Sequence, residues 1–416
     1  MGIRFDWRQV LVFVLLYCLG TSGLSGCALP RVSAEARLFA PLKLELVDDY
    51  TLPPTSFQDV PVGGLSGLAY DAAKGVFYAV SDDRSGFAPA RFYTLKPKLG
   101  KDKTTGQTEI KTIDIKTVTA LKNPKGETYP RNTIDTEGIV LSPRGTVFIS
   151  SEGVAKDGIA PFVNEFDLQT GAFVGALPIP EHYLPKKGPD GEREGIQDNL
   201  GFEGLTMGVD GTPDLFRLFV ATENSLAQDL PPQDSEEPTR VRLMHYAVMQ
   251  GRADLTGEYL YEFDKPPLGT VEQGLSEILS VDNAGHFLAL ERTFGLTGFN
   301  GKIFQFTMAG ASDTSAIAAL QPKPPQAPTP VHKTLVLDLA DLGIAIDNVE
   351  GLALGPVLAD GSKSLLIVSD DNFNKDQVTQ FLLFRLVNED EPPIPPLKPT
   401  PAAVKPTVKP TVKPGP

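Results

Sequence analysis

Two cysteines, four histidines and one tryptophan are few for a chain of 416 residues, and these scarcities close off whole classes of chemistry. Cys18 and Cys27 have no metal-site or dithiol spacing, which excludes a C-x-x-C zinc or redox centre. His182, His245, His286 and His332 stand singly, with no H-E-x-x-H pair. A G-x-S-x-G nucleophile elbow is missing; Gly64-Leu65-Ser66-Gly67 comes near but lacks the second glycine at the right offset. There is no phosphate-binding P-loop, no dinucleotide glycine fingerprint and no R-H-G-x-R-x-P phosphatase signature. Basic charge is short as well: 38 Lys and Arg against 52 Asp and Glu give a net charge of -14. A general nucleic-acid binder, which needs a basic footprint, is thereby excluded. What the chain has in quantity is turn formers, 39 glycines and 37 prolines, so many short elements joined by turns are expected.

The N-terminus reads as an address. Arg4 and Arg8 precede the unbroken apolar run Val10 to Leu19, too short to span a bilayer but right for a signal-peptide core. Leu24-Ser25-Gly26-Cys27 follows directly and resembles the bacterial lipobox, in which the cysteine is acylated and becomes the first mature residue. A plain secretory signal with a stray cysteine is the alternative. Ala28, which is not Asp, favours outer-membrane sorting by resemblance to Gram-negative lipoproteins. The expected product is exported and lipid-anchored on the periplasmic side, a monomer touching the membrane only through its anchor. At the other end, Pro392 to Pro416 holds ten prolines, four lysines and no acid. Such a tail cannot bury a core and reads as an extended spacer, or as an arm reaching anionic envelope polymers. The organisation is therefore residues 1–26 signal peptide, 27–37 linker, 38–390 globular domain and 391–416 tail.

Within the globular domain a single plan recurs: a polar residue beside Gly-Leu, a short apolar strand, a turn, and a second strand ending in acid. It appears as LSGLAYDAAKGVFYAVSDD from Leu65, TEGIVLSPRGTVFISSEG from Thr136, FEGLTMGVDGTPDLFRLFVATEN from Phe202, LSEILSVDNAGHFLALER from Leu275 and VEGLALGPVLADGSKSLLIVSDDN from Val349. Each is followed by an aromatic-rich third strand, for example ARFYTLK or QFLLFRL. Such strand–turn–strand–strand units read as blades of a β-propeller, an all-β fold, with a β-sandwich as the structural alternative. Five blades are readable. A sixth could lie in Lys101–Lys122 or Pro322–Leu339, and Ser312–Leu320 is the one stretch with a helical hint. The last repeat lacks an outermost strand, which Leu42 to Leu52 is expected to supply, closing the ring.

In an antiparallel blade the start of the first strand lies beside the end of the second. That places Ser66, Glu137, Glu203, Ser276 and Glu350 next to Asp82, Asp83, Glu152, Glu223, Glu291, Asp370 and Asp371 around one opening, with Asp135, Asp198 and Asp347 just upstream and Arg84 and Arg292 among them. Carboxylates at close quarters repel and need cations or protons, and hard oxygen ligands suit Ca²⁺. The arginines would then hold an anionic substrate. The competing reading is that each Glu caps its own turn. The four histidines fall away from this opening, which leaves a Ser-His-Asp esterase little support.

DTEGIVL…TVFISSEG and DNVEGLALG…SLLIVSDDN resemble the strand pairs of β-propeller phytases, and the whole arrangement is more similar to the phytase-like family named for an "esterase-like activity of phytase", over about Leu65 to Leu386. The resemblance implies a metal-dependent phosphoesterase or esterase-like hydrolase of small anionic substrates. It implies Ca²⁺ ligands at Glu137, Glu203, Glu350, Asp82, Glu152, Glu223 and Asp370, with Arg84 and Arg292, and from flanking loops Lys375 and Arg131, for the substrate. So few cations is a departure from a phosphate site. The alternative is a non-catalytic propeller binding a sugar, peptide or envelope protein through the same mouth.

Overall fold

A computed structural model of the chain describes residues 38–188, 191–232, 237–320 and 327–388. The signal peptide, Cys27 and the proline-rich tail lie outside the described residues. Twenty strands form five four-stranded antiparallel sheets. The innermost strands are Leu65–Asp71, Thr136–Leu141, Phe202–Met207, Thr270–Ser280 and Asn348–Leu354, one from each repeat. Each touches the innermost strands of the blades on either side, the fifth returning to the first, so the five enclose a central axis. The fold is a five-bladed β-propeller.

The closing strand is where the sequence places it. Leu42–Thr51 is the outermost strand of the fifth blade and pairs with Gln380–Asn388, from Leu42 opposite Asn388 to Thr51 opposite Gln380. The two candidate regions for a sixth blade are used otherwise. Thr108–Ala120 and His332–Asp338 are the outermost strands of the first and fourth blades. Ser312–Leu320 forms turns rather than a helix. Thr314 N–H donates to the Glu258 carbonyl at 2.7 Å, so the segment is held against the outer strand of the third blade.

The second strands show why the repeats read as apolar runs. In Val76–Ser81, Phe77 and Ala79 enter the core between the first and fifth blades, while Val76, Tyr78 and Val80 enter the core between the first and second. Side chains alternate between faces with a period of two. Because both faces of a blade are buried, alternation of polar and apolar residues is lost. Five such inter-blade cores, one at each junction, carry the fold.

The closing strand contributes Leu44, 6% exposed, to the core between the fourth and fifth blades. Leu44→Ala is therefore expected to lower unfolding free energy by about 2–5 kcal/mol. Lys43→Ala, on the exposed side of the same strand, should stay within about 0.5 kcal/mol. Urea denaturation of the two variants checks the assignment, and equal effects would contradict it.

Candidate functional site

All five innermost strands carry a β-bulge at the same place. The register slips between Leu65 and Gly67, Thr136 and Ile139, Phe202 and Leu205, Leu275 and Glu277, and Val349 and Gly351. A bulge leaves a residue outside the ladder and re-aims its side chain. The displaced positions include Ser66, Glu137, Glu203, Ser276 and Glu350, the residues singled out at the strand starts. The glycine that follows permits the blades to meet: a Cβ on Gly138 would lie 2.6 Å from the Glu203 carbonyl oxygen of the next blade. In the fourth blade Glu277 stands in that place, and its carboxylate accepts the backbone N–H groups of Leu205 at 2.8 Å and Ile278 at 3.0 Å. Ser66 and Ser276 donate to carbonyl oxygens of neighbouring blades. Glu137 and Glu203 accept no backbone N–H among the described residues.

The bulges empty into a cavity of ≈ 530 Å³ at the mouth of the ring. Asp82, Glu137, Glu152, Glu203, Glu223 and Glu350 line it, as do Arg84 and Arg292, so eight of the nine candidate ligand and substrate residues share one cavity. Asp370 is the ninth. It is buried just behind the wall, where an oxygen accepts the Asn372 N–H at 2.8 Å. Two triads are close enough for one ion each, Asp135–Glu137–Glu152 and Glu152–Glu203–Glu223, with the ligand oxygens of each triad within 4.8 Å of one another. Glu152 belongs to both, and one of its oxygens accepts the Gly201 N–H at 2.5 Å.

Burial and mutual repulsion act together on these groups. Burial, then Glu203, Asp135 and Glu152, hold the Glu137 carboxyl well above the usual range. Burial, then Glu152 and Glu223, do the same to Glu203, and burial, then Asp135 and Glu223, to Glu152. Asp82 is pushed up to about 7 by burial and Asp135, against the pull of Arg84. Glu350 rises to about 8 because burial outweighs Arg292. The two arginines are committed to this cluster. Arg292 bonds Glu223 at 2.7 Å, Glu350 at 3.4 Å and the Asn348 side chain. Arg84 is paired with Asp135 and Asn199. Arg131 also lines the cavity, whereas Lys375 does not.

Other acids of the strand ends turn elsewhere. Glu291 faces the core beside it, accepting from Tyr261 at 2.7 Å and Lys333 at 2.6 Å. Asp83 borders the cavity but is taken up by a buried pair with Arg91 at 2.5 Å and by capping the turn after it. Asp371 accepts the Gly64 N–H at 2.9 Å, Asp198 pairs with Lys156 at 3.2 Å, and Asp347 accepts the Val378 N–H at 2.8 Å. None of the four histidines lines the cavity. His245 stacks on Phe219 at 4.4 Å, and burial pushes its imidazole down to about 4. Two groups at the mouth escape a reading based on acidic spacing: the asparagines Asn132, Asn199, Asn348 and Asn372, and the phenylalanines Phe87, Phe294, Phe299 and Phe373. Asn132, Asn199, Asn372, Phe87 and Phe373 stand in loops, Phe294 and Phe299 on strands that run on past the repeated segment, and Asn348 opens the innermost strand of the fifth blade, so none belongs to the repeating acidic pattern.

A five-bladed propeller with a pit of bulge-displaced carboxylates at its axis is the class of protein defined by fold and site. The chain belongs to the phytase-like family described as "Esterase-like activity of phytase", which it matches over residues 60–373. An uncharacterized secreted protein of Arthroderma benhamiae is 26% identical over 191 residues, a stretch covering 39% of this chain and 35% of that protein's length. Among solved structures, the catalytic domain of a Coprinopsis cinerea α-L-arabinofuranosidase aligns at 9% identity and TM-score 0.39, over 83% of this chain and 97% of its own. A calcium-binding protein, regucalcin, from Agrobacterium tumefaciens aligns at 13% identity and TM-score 0.31, over 78% and 92%.

Proposed function

We propose that this chain is an exported, lipid-anchored, calcium-dependent hydrolase of small anionic esters in the cell envelope. The observation that carries the reading is the pair of carboxylate triads sharing Glu152. Their donors are oxygen atoms only, which fits a hard cation taking six to eight oxygens, and no imidazole or thiolate stands by to favour zinc. Asp135, Glu137, Glu152, Glu203 and Glu223 would hold the metal. A bound divalent ion supplies Lewis-acid polarisation of an ester oxygen. The chain's own contribution is to hold these acids in place. Gly201 orients Glu152 through its N–H, Arg292 fixes Glu223 and Glu350, and Arg84 anchors Asp135 while its guanidinium borders the cavity. Arg131, exposed at the rim, is the cation best placed to meet an anionic substrate. Export rests on the apolar run and the Cys27 lipobox, and the relative described as secreted is in keeping with it.

Treatment with EDTA is expected to abolish ester cleavage on a phosphoester and carboxylester panel, and added calcium to restore it. Undiminished turnover in EDTA would end the metal-dependent reading. A second reading, a non-catalytic propeller that binds an envelope ligand, is favoured by the commitment of Arg84 and Arg292 to carboxylates and by the absence of a histidine from the cavity. Calcium that raises the melting temperature without turnover on any ester would select it.

A further inference from the structure

The wall of the mouth is chemically lopsided. Phe87 stacks on Phe373 with ring centroids 4.6 Å apart, and Phe294 on Phe299 at 4.6 Å. Phe87 and Phe373 come from loops of the first and fifth blades, Phe294 and Phe299 face each other across the strand hairpin of the fourth, and all four rings border the cavity. Phe87 is 59% exposed and Phe294 36%. Phe373 is held there at a conformational cost. Its φ of 49° and that of Asn372, 47°, lie in the left-handed region, which is a genuine outlier for a bulky side chain and characteristic of functional loops. Ser85, Asn132 and Asn199, in the other mouth loops, share this conformation.

The charge count sets a second limit. Nine carboxylates and three arginines line the cavity, and Arg91 answers Asp83 from outside. With every acid ionised that leaves five negative charges, or one with a divalent ion in each triad, and each retained proton raises the sum by one. The loaded mouth is thus close to neutral and offers no cluster of free cations to hold a polyanion.

We infer that the mouth takes an ester bearing at most one negative charge and a planar apolar group, which lies on the Phe87/Phe373 and Phe294/Phe299 pairs while the ester reaches the carboxylates. The inference rests on the hydrolase reading for its chemistry and on the aromatic rim for its ligand class. The test uses the calcium-loaded protein with bis(4-nitrophenyl) phosphate as substrate. Diphenyl phosphate, dimethyl phosphate, inositol hexakisphosphate and phenyltrimethylammonium serve as binding probes read by melting temperature. The double variant Phe87→Ala/Phe294→Ala, which removes two accessible rings, should keep the wild-type melting temperature without ligand. Its KM for the aryl diester should rise about three- to tenfold with kcat unchanged, and its response to diphenyl phosphate should fall while the weak response to dimethyl phosphate stays the same. Absence of turnover with a diphenyl phosphate response that the variant loses would end the hydrolase reading and leave the ligand class standing. Tighter binding of inositol hexakisphosphate or phenyltrimethylammonium than of diphenyl phosphate, or an unchanged affinity in the variant, would overturn the inference.

Discussion

Arg292→Met should destabilise the metal-free protein by about 3–5 kcal/mol at pH 8, the cost of removing one partner from a buried ion cluster, and by much less at pH 5. Arg292 holds Glu223 and Glu350, and the carboxyl of Glu350 is already pushed up to about 8 with the arginine present. At pH 5 both acids can be protonated and buried as neutral groups. At pH 8 the unfolded chain releases those protons, so the folded state must either retain them or bury unanswered charge. Arg242→Met is the informative comparison. Arg242 is fully buried against Asp229 at 2.6 Å and Glu258 at 2.5 Å, on the flank of the third blade and away from the mouth. Burial raises Glu258, but His182, Arg242 and Tyr183 together hold it below its usual value. Its loss should be as large at pH 8, with no response to calcium. Urea denaturation of both variants at the two pH values measures the difference, and equal pH dependence would contradict the account.

The second large effect concerns the bulge glutamates. Glu137→Gln or Glu203→Gln removes a charge with little change of shape. Calcium affinity should fall at least tenfold, about 1.4 kcal/mol, while metal-free stability at pH 8 should hold or rise because repulsion is relieved. Glu277→Gln should behave differently. Its carboxyl is held well above the usual range by burial, one of its oxygens accepts the Leu205 and Ile278 N–H groups, and an amide oxygen can take its place, so neither calcium affinity nor metal-free stability should change by more than about 0.5 kcal/mol. On this account turn capping and ion binding fall at different positions of one motif. Calorimetric titration with calcium and metal-free melting of the three variants separate them. A uniform, calcium-independent loss in all three would remove the metal site.

The fold was legible to the level of individual strands because propeller blades repeat. The five in-register apolar pairs marked five blades but left a sixth open, and the missing outer strand of the last repeat pointed to Leu42–Leu52, where the structure has the strand Leu42–Thr51. Covalent neighbours, however, do not reveal the direction of a side chain at a strand end. Glu291 holds the place in the repeat that Glu152 and Glu223 hold, yet its strand runs on to Gly295 and its side chain turns toward Lys333, which arrives from an outer strand more than forty residues later. Arg84 and Arg292 were visible as cations of the mouth, but not that each would be occupied by an acid from another blade. The bulges themselves left a faint trace, the Glu-Gly or Ser-Gly step at the strand start. The structure explains that step as a displaced residue followed by a close backbone approach. The Phe rim left none: Phe87 and Phe373 sit on loops, Phe373 at a positive φ, and Phe294 and Phe299 on strands that run on past the repeated segment.

Melting temperature as a function of pH, from 5 to 9, in EDTA and in calcium, tests most directly whether the mouth is a divalent-cation site. The raised carboxyls of Asp82, at about 7, and Glu350, at about 8, titrate above their unfolded values. Their stabilising protonation is complete below the unfolded values near 4 and is lost as pH rises through the folded ones. In EDTA the melting temperature should therefore fall between pH 5 and 8. In calcium it should be higher, with the gap widening as pH rises, because the ion replaces protons that are leaving. Superimposable curves with and without calcium would contradict the account.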